Sequence, residues 1–175
     1  QADTMPHSIE AEQQLLGALL TNNDTYDRIA QVINADHFYE PVHGRIFEVA
    51  AARIAKNALA TPVTLKAFLE DDEGLKELGG PAYLARLAGA AIAAYAGRDY
   101  AQIIYDLAIR RELIGLGQDI MAEAKRVDVK NEPKEQIVAA EQKLYKLSEQ
   151  GSAERGFQSF LSAVTEAVNV ANAAY

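Results

Sequence analysis

Cysteine is absent from this chain of 175 residues. Without thiols the chain can form neither a disulfide framework nor a thiolate zinc site, and it offers no cysteine nucleophile. Aromatic residues make up only 7% of the sequence, while alanine, leucine, glutamate and lysine are abundant. That composition favours helices packed on helices over sheets, so we expect an all-α fold.

Long apolar runs are also missing. No stretch approaches the length of about 18 residues that a membrane-spanning helix needs, and no secretory signal peptide is visible. We therefore expect a cytoplasmic protein without a membrane partner. Residues 169–175 still have a helical pattern, so we expect this chain to be a fragment of a longer protein.

The chain has fewer basic than acidic residues. The chain carries 17 Lys or Arg against 25 Asp or Glu, a net charge of −8, and residues 1–97 alone hold 7 against 13. An acidic surface repels phosphates, and no basic patch with interleaved aromatic residues appears. We expect this chain not to grip DNA by itself.

Catalytic motifs are not evident either. No Gly-x-x-x-x-Gly-Lys-Ser/Thr phosphate loop occurs, so no nucleotide site of that type is expected. Glu40-Pro41-Val42-His43 has the Glu-x-x-His spacing of di-iron bundles, but such sites need two of these pairs and two more glutamates. We predict no metal or cofactor site, and we interpret His43 as a buried or half-buried hydrogen-bonding residue near Tyr39. A metal-dependent bundle enzyme is the least favoured alternative.

Helical periodicity is what the sequence does contain. Ser8 is predicted to cap a helix over residues 8–20, in which Gly17 marks a close helix–helix contact. Further starts are expected at Pro41 and Pro81 and at Thr64 as a cap, while Asp36 caps a tight turn. The acidic run 71–74 is interpreted as a turn rather than a calcium loop.

Two longer helices follow, over residues 99–126 and from Pro133 to about Glu149. Two antiparallel helices cannot bury two apolar faces on each other alone, so the surplus face implies a partner, either the head or another copy. We predict self-association through the apolar seam formed by Ile103, Leu107, Ile114, Leu144 and Leu147.

The end of the chain is predicted to be a separate amphipathic helix behind a short flexible linker. Its apolar stripe is Phe157, Phe160, Leu161, Val164 and Val168. The stripe indicates helix-in-groove docking onto another subunit, although folding back onto the hairpin is the alternative. We divide the chain into a globular helical head (1–97), a helical hairpin (98–150), a flexible linker (151–156) and a linker helix (157–175).

Three segments resemble one family. Pro6 to Leu20 carries Pro-x-Ser-x-Glu-Ala-Glu-x-x-Leu-Leu-Gly-Ala-Leu-Leu, and it is similar to the opening of bacterial replicative DNA helicases of the DnaB family. Phe38 to Phe47 resembles that family's Phe-Tyr-x-x-x-His-x-x-Ile-Phe segment. Leu78 to Leu87 resembles its Leu-Gly-Gly-x-x-Tyr-Leu-x-x-Leu segment. The alanine-rich residues 88–97 depart from the polar connection usual in the family.

The resemblance implies an N-terminal collar fragment of a ring-shaped hexameric helicase, serving oligomerisation and primase recruitment. It implies ATP and Mg in the full-length protein, with the ATPase and unwinding domain outside this chain. A helicase loader is a further candidate partner, and DNA would be bound only through the full ring. The alternative is an all-α self-associating adaptor unrelated to helicases; a phosphate loop beyond residue 175 would distinguish the two.

Overall fold

The computed structural model describes residues 4–150 and Val164. Within residues 4–150 the regular structure is helical, which confirms the all-α prediction. The α-helices are α1 (Ile9–Thr21), α2 (Thr25–Ile29), α3 (Pro41–Ala55), α4 (Pro62–Leu69), α5 (Glu73–Glu77), α6 (Pro81–Gly89), α7 (Gly97–Lys125) and α8 (residues 133–150). Short 3-10 turns lie at Ala35–His37 and Ala94–Ala96.

Most of these helices begin at a capping side chain or at a proline in the first position. Ser8 accepts a hydrogen bond from the Ala11 amide, so α1 begins as predicted. Proline at the first position of α3, α4 and α6 fixes φ near its helical value and needs no hydrogen-bond partner for its nitrogen.

Two predicted caps are wrong by a few residues. Thr61, not Thr64, caps α4, and Thr64 sits inside the first turn, where the two threonines form a reciprocal capping box. Asn34, not Asp36, caps the turn before α3 by accepting from the Asp36 amide.

The chain divides into two compact units, the first ending at Arg111 and the second beginning at Glu112. In the first unit, the head, apolar side chains from α1, α3, α4 and α6 surround one core. The first part of α7 adds Ala101, Ile104 and Ala108 to the buried residues. The predicted division at 97/98 stays a prediction, and the linker over 151–156 lies outside the described residues.

Gly17 lies at a close contact between α1 and the end of α6. A methyl group built on its Cα would lie 2.1 Å from the carbonyl oxygen of Leu87 and 2.9 Å from the Cα of Ala91. Only glycine lets the end of α6 approach α1 this closely, as the sequence predicted.

In the second unit, α8 runs back along the second part of α7. The connection, residues 126–132, is held by the Asn131 side chain, which donates to the Glu123 carboxylate over 3.1 Å. Pro133 begins α8 as predicted. Within the described residues, no helix is long and apolar enough to cross a membrane.

Candidate functional site

The hairpin of α7 and α8 leaves its apolar side chains in contact with water. Between residues 112 and 150 no residue is buried. Yet this stretch carries large apolar side chains on both helices, and the exposed ones are Leu113, Ile114, Ile120, Met121, Ile137, Val138, Leu144 and Tyr145. Exposed apolar side chains at this density make the hairpin the candidate interaction surface among the described residues.

A groove of ≈ 770 Å³ lies between the two helices. Its apolar walls are formed by Ile120 on α7 and by Ile137, Ala140 and Leu144 on α8. The groove is also lined by three acidic residues, Asp119, Glu123 and Glu141. An apolar helix ridge with polar ends could therefore seat in it by knobs-into-holes packing.

The predicted self-association residues fall into two groups. Ile114, Leu144 and Leu147 lie in the hairpin unit, and of these Leu144 lines the groove. Ile103 and Leu107 lie on the part of α7 that belongs to the head, where Ile103 is 45% exposed and Leu107 is half-buried. Ile120 and Ile137 also line the groove, and their apolar character at helical spacing is the sequence signal for them.

The predicted docking helix lies almost entirely outside the described residues. Phe157, Phe160, Leu161 and Val168 are not described, and Val164 is helical and 43% exposed. Their docking role stays a prediction.

The head contains a buried polar network that joins three helices. Glu12 of α1 is 2% exposed and accepts from the Tyr39 amide at 2.6 Å and from the Glu40 amide at 3.3 Å. His43 of α3 is fully buried and lies 2.6 Å from the Glu12 carboxylate through Nδ1. Its Nε2 lies 2.6 Å from the hydroxyl of Tyr83 on α6.

One pattern of donors satisfies this network. His43 donates through Nδ1 to Glu12 and accepts through Nε2 from Tyr83, while the Gln13 amide donates to the Tyr83 oxygen. Burial raises the pKa of the Tyr83 hydroxyl, which keeps its proton available to His43. Because the three central side chains are shielded from solvent, no substrate reaches them, and the network stabilises the packing of α1, α3 and α6.

His43 is thus buried and hydrogen-bonded, as the sequence predicted, but its side-chain partners are Glu12 and Tyr83. The Glu40 carboxylate accepts from the Val42 amide and caps α3. Among the described residues, no group of three or more His, Asp or Glu side chains is placed to hold a metal ion.

Arg111 links the N-terminal segment to the turn that precedes α3. Its guanidinium donates to the carbonyl oxygens of Pro6 and His37, both at 2.8 Å, and lies 5.4 Å from the centre of the Tyr39 ring. Tyr39 stacks in turn on His7 with ring centres 4.1 Å apart. Sequence reasoning missed this contact because it joins residues 105 positions apart in the chain.

Fold and surface together define an all-α domain with an acidic head and a helical hairpin in which no residue from 112 to 150 is buried. A family model described as "DnaB-like helicase N terminal domain" matches residues 4–106. The chain belongs to this family, which confirms the resemblance and decides against the unrelated adaptor.

Curated relatives agree with that assignment. The chain is similar to the replicative DNA helicase DnaB of Rickettsia bellii (strain RML369-C), with 38% identity over 173 residues, 99% of this chain and 35% of that protein. The DnaB of Pasteurella multocida (strain Pm70) is 33% identical over 144 residues, 82% of this chain and 31% of that protein. The chain therefore spans about a third of the length of the curated relatives it matches.

A solved structure supports the fold. The crystal structure of the N-terminal domain of DnaB helicase from Mycobacterium tuberculosis superimposes with a TM-score of 0.72 at 24% sequence identity. The match covers 82% of this chain and 99% of that chain.

Proposed function

We propose that this chain builds the N-terminal collar of a hexameric replicative DNA helicase, and that its hairpin pairs with the hairpin of a second copy. The observation that carries the proposal is the exposure of apolar side chains on α7 and α8, where no residue from 112 to 150 is buried. Burying a large apolar side chain stabilises an interface by about 1.5–3 kcal/mol. Leu144, 46% exposed beside the groove, would gain up to about half of that on pairing.

The full protein would hydrolyse ATP with Mg and unwind DNA through residues outside this chain. The curated relatives are named replicative DNA helicases and are about three times longer, which supports that division of labour. On this proposal the collar recruits primase and a helicase loader, DNA is bound only by the complete ring, and the complex works in the cytoplasm.

The proposal also assigns a docking role to the linker helix (157–175). The apolar stripe Phe157, Phe160, Leu161, Val164 and Val168 would dock in trans onto the motor domain of the adjoining subunit. The support is the spacing i, i+3, i+4, i+7 and i+11, which places all five side chains on one helix face.

Lysine substitutions test the hairpin pairing. Leu144→Lys with Leu147→Lys places two charges in the seam, and we expect the assembly to dissociate to single chains, as measured by sedimentation velocity. The matched control is Val127→Lys with Val129→Lys, since these two side chains are 101% and 93% exposed in the connection and are not in the seam. The head should stay folded in both variants by circular dichroism.

Two outcomes would contradict the pairing. One is an unchanged oligomeric state of the seam variant, and the other is equal dissociation of the control. Either would place the interface elsewhere.

A further inference from the structure

The segment before α1 is half-buried although it forms no helix. Residues 5–8 have no regular secondary structure, yet each of them is partly covered by the rest of the head. Pro6 fixes its own φ and restricts Met5 to extended backbone, so this segment has little conformational freedom to lose on folding. The His7 side chain donates through Nδ1 to the carbonyl oxygen of Met5 over 2.6 Å. The sequence Met-Pro-His therefore favours one local conformation.

Aromatic rings connect this segment to α7. The His7 ring lies on the Tyr39 ring with centres 4.1 Å apart and an angle of 11° between the planes. The guanidinium carbon of Arg111 lies 5.4 Å from the centre of the same Tyr39 ring. The His37 ring packs edge-on against Tyr105 of α7, with centres 5.1 Å apart.

Arg111 lies at the end of the α7 face that packs on the head. Ala101, Ile104 and Ala108 are buried on that face, and Arg111 follows three residues after Ala108, at the next position of the same helical spacing. No residue from 112 to 150 is buried. The packing of α7 on the head core thus ends at a charged side chain rather than at an apolar one.

The Arg111 side chain binds two separate pieces of backbone. One terminal nitrogen donates to the carbonyl oxygen of Pro6, and the other donates to the carbonyl oxygen of His37, both over 2.8 Å. Hydrogen bonds from a charged donor are stronger than neutral ones. The rigid planar fork of a guanidinium reaches both oxygens at once. One side chain therefore ties residues 5–7 and the turn before α3 to α7.

We propose that residues 5–7 are a strap, which Arg111 closes and which sets how far along the chain α7 is held by the head. With the strap closed, α7 is held as far as Arg111. With the strap open, residues 105–111 lose their polar anchor and open locally, while Ala101 and Ile104 stay in the core.

The composition of the strap suits a device that opens and closes. Its contacts are polar or aromatic, and the Tyr39 ring at its centre belongs to a residue that is 38% exposed. Segments with few buried apolar contacts are the ones that open locally while the core stays folded. The proposal goes beyond self-association, because none of the side chains that close the strap belongs to the predicted hairpin seam.

Amide exchange with deuterium, followed by NMR on the 175-residue chain, tests the strap. Arg111→Gln removes the charge and the fork, and we expect residues 105–111 to exchange about tenfold faster or more, since a helical segment without tertiary contacts opens more often. The buried amides of Leu16 in α1 and Ile46 in α3 should keep their rates. The His7 ring protons should also lose the chemical shift that stacking on Tyr39 causes.

Two further variants make the test specific. Arg110→Gln is the matched control, because Arg110 is exposed and its loss changes the net charge equally; its exchange rates should equal those of the parent chain. Removal of residues 1–7 leaves Ser8 as the cap of α1 and should speed exchange in residues 105–111. Added to Arg111→Gln, that removal should have no further effect, since the strap and Arg111 act as one unit.

Three results would overturn the proposal. Unchanged exchange of residues 105–111 in the Arg111 variant would show that no strap holds them. An equal rise at Leu16 and Ile46 would mean that Arg111 stabilises the head as a whole. Full additivity of the two changes would show that residues 5–7 and Arg111 act independently.

Discussion

Gly17 sets how closely α1 and α6 pack. The nearest atom to a Cβ at this position is a backbone oxygen, Leu87 O at 2.1 Å, which no side-chain rotation can move away. We expect Gly17→Ala to lower the free energy of unfolding by about 1–3 kcal/mol, the usual cost of overpacking a core. Urea denaturation measures the change.

Helix propensity works in the opposite direction, since alanine is favoured over glycine by about 1 kcal/mol in a helix. The matched control is Gly89→Ala at the end of α6, where nothing lies within 4 Å of the added methyl group. That variant should be as stable as the parent or slightly more so. A Gly17→Ala chain with the stability of this control would refute the close-contact account.

We expect His37 to make the stability of the head depend on pH, because its pKa is lowered in the folded chain. Burial lowers its pKa; Asp36 raises it and Arg111 lowers it. Its Nδ1 accepts a hydrogen bond from the Asn34 amide over 2.9 Å, which a proton on that nitrogen would abolish.

Because the folded pKa lies below the unfolded value of about 6.5, the unfolded chain binds the proton first. The contribution is complete above pH 6.5 and is lost as the pH falls through the folded pKa. His37→Asn keeps an acceptor without titrating, so its free energy of unfolding should fall less between about pH 7.5 and 5. Urea titrations at both pH values measure this, and an equal or steeper fall in the variant would show that His37 is not the source.

The network of Glu12, His43 and Tyr83 shows what the sequence could and could not predict at this scale. The position of His43 on an apolar helix indicated burial and hydrogen bonding. Glu12 lies in the first turn of α1, where the helix dipole alone already favours a carboxylate. Its partners lie 27 to 31 residues away, and no local pattern identifies them.

At the scale of helices, local signals predicted most boundaries. Ser8, Pro41, Pro81 and Pro133 act through their own backbone and hydrogen-bond geometry, so each start could be recognised from a few neighbouring residues. Thr61 and Thr64 cap each other reciprocally, and from the sequence either could be the cap.

The choice of buried face on α7 was harder to predict. Ile104 is 2% exposed in the head core, while its neighbour Ile103 is 45% exposed. Apolar residues surround this helix, so periodicity alone does not select one side. The buried face of α7 is the one that carries the small residues Ala101 and Ala108 beside Ile104. Small side chains allow this face to pack closely on the core.

The linker helix carries its own prediction. Phe160→Ala with Val164→Ala removes two members of the apolar stripe, and we expect weaker ring assembly and unwinding in the full-length protein with little change in head stability. In this chain alone, amides 157–175 should exchange quickly with deuterium, since a helix of this length without a partner is marginal in water. Slow exchange in a dilute monomer would mean that the helix folds back onto its own chain, and the docking proposal would fail.

At the scale of the whole molecule, the two units differ in how they bury apolar side chains. The head buries an apolar core, whereas no residue from 112 to 150 is buried. We expect association to stabilise residues 112–150, because a partner that binds only the folded state favours it by mass action. The sequence predicted a surplus apolar face on the two long helices, but the groove between them depends on how the helices pair in three dimensions.

Sedimentation equilibrium of the unmodified chain tests the central claim, that the hairpin mediates self-association. The chain has a mass of 19.0 kDa. We predict an average mass that rises with concentration to at least twice that value and falls back on dilution, because association through one apolar seam follows mass action. A mass of 19.0 kDa at every concentration up to about 1 mM would contradict the account.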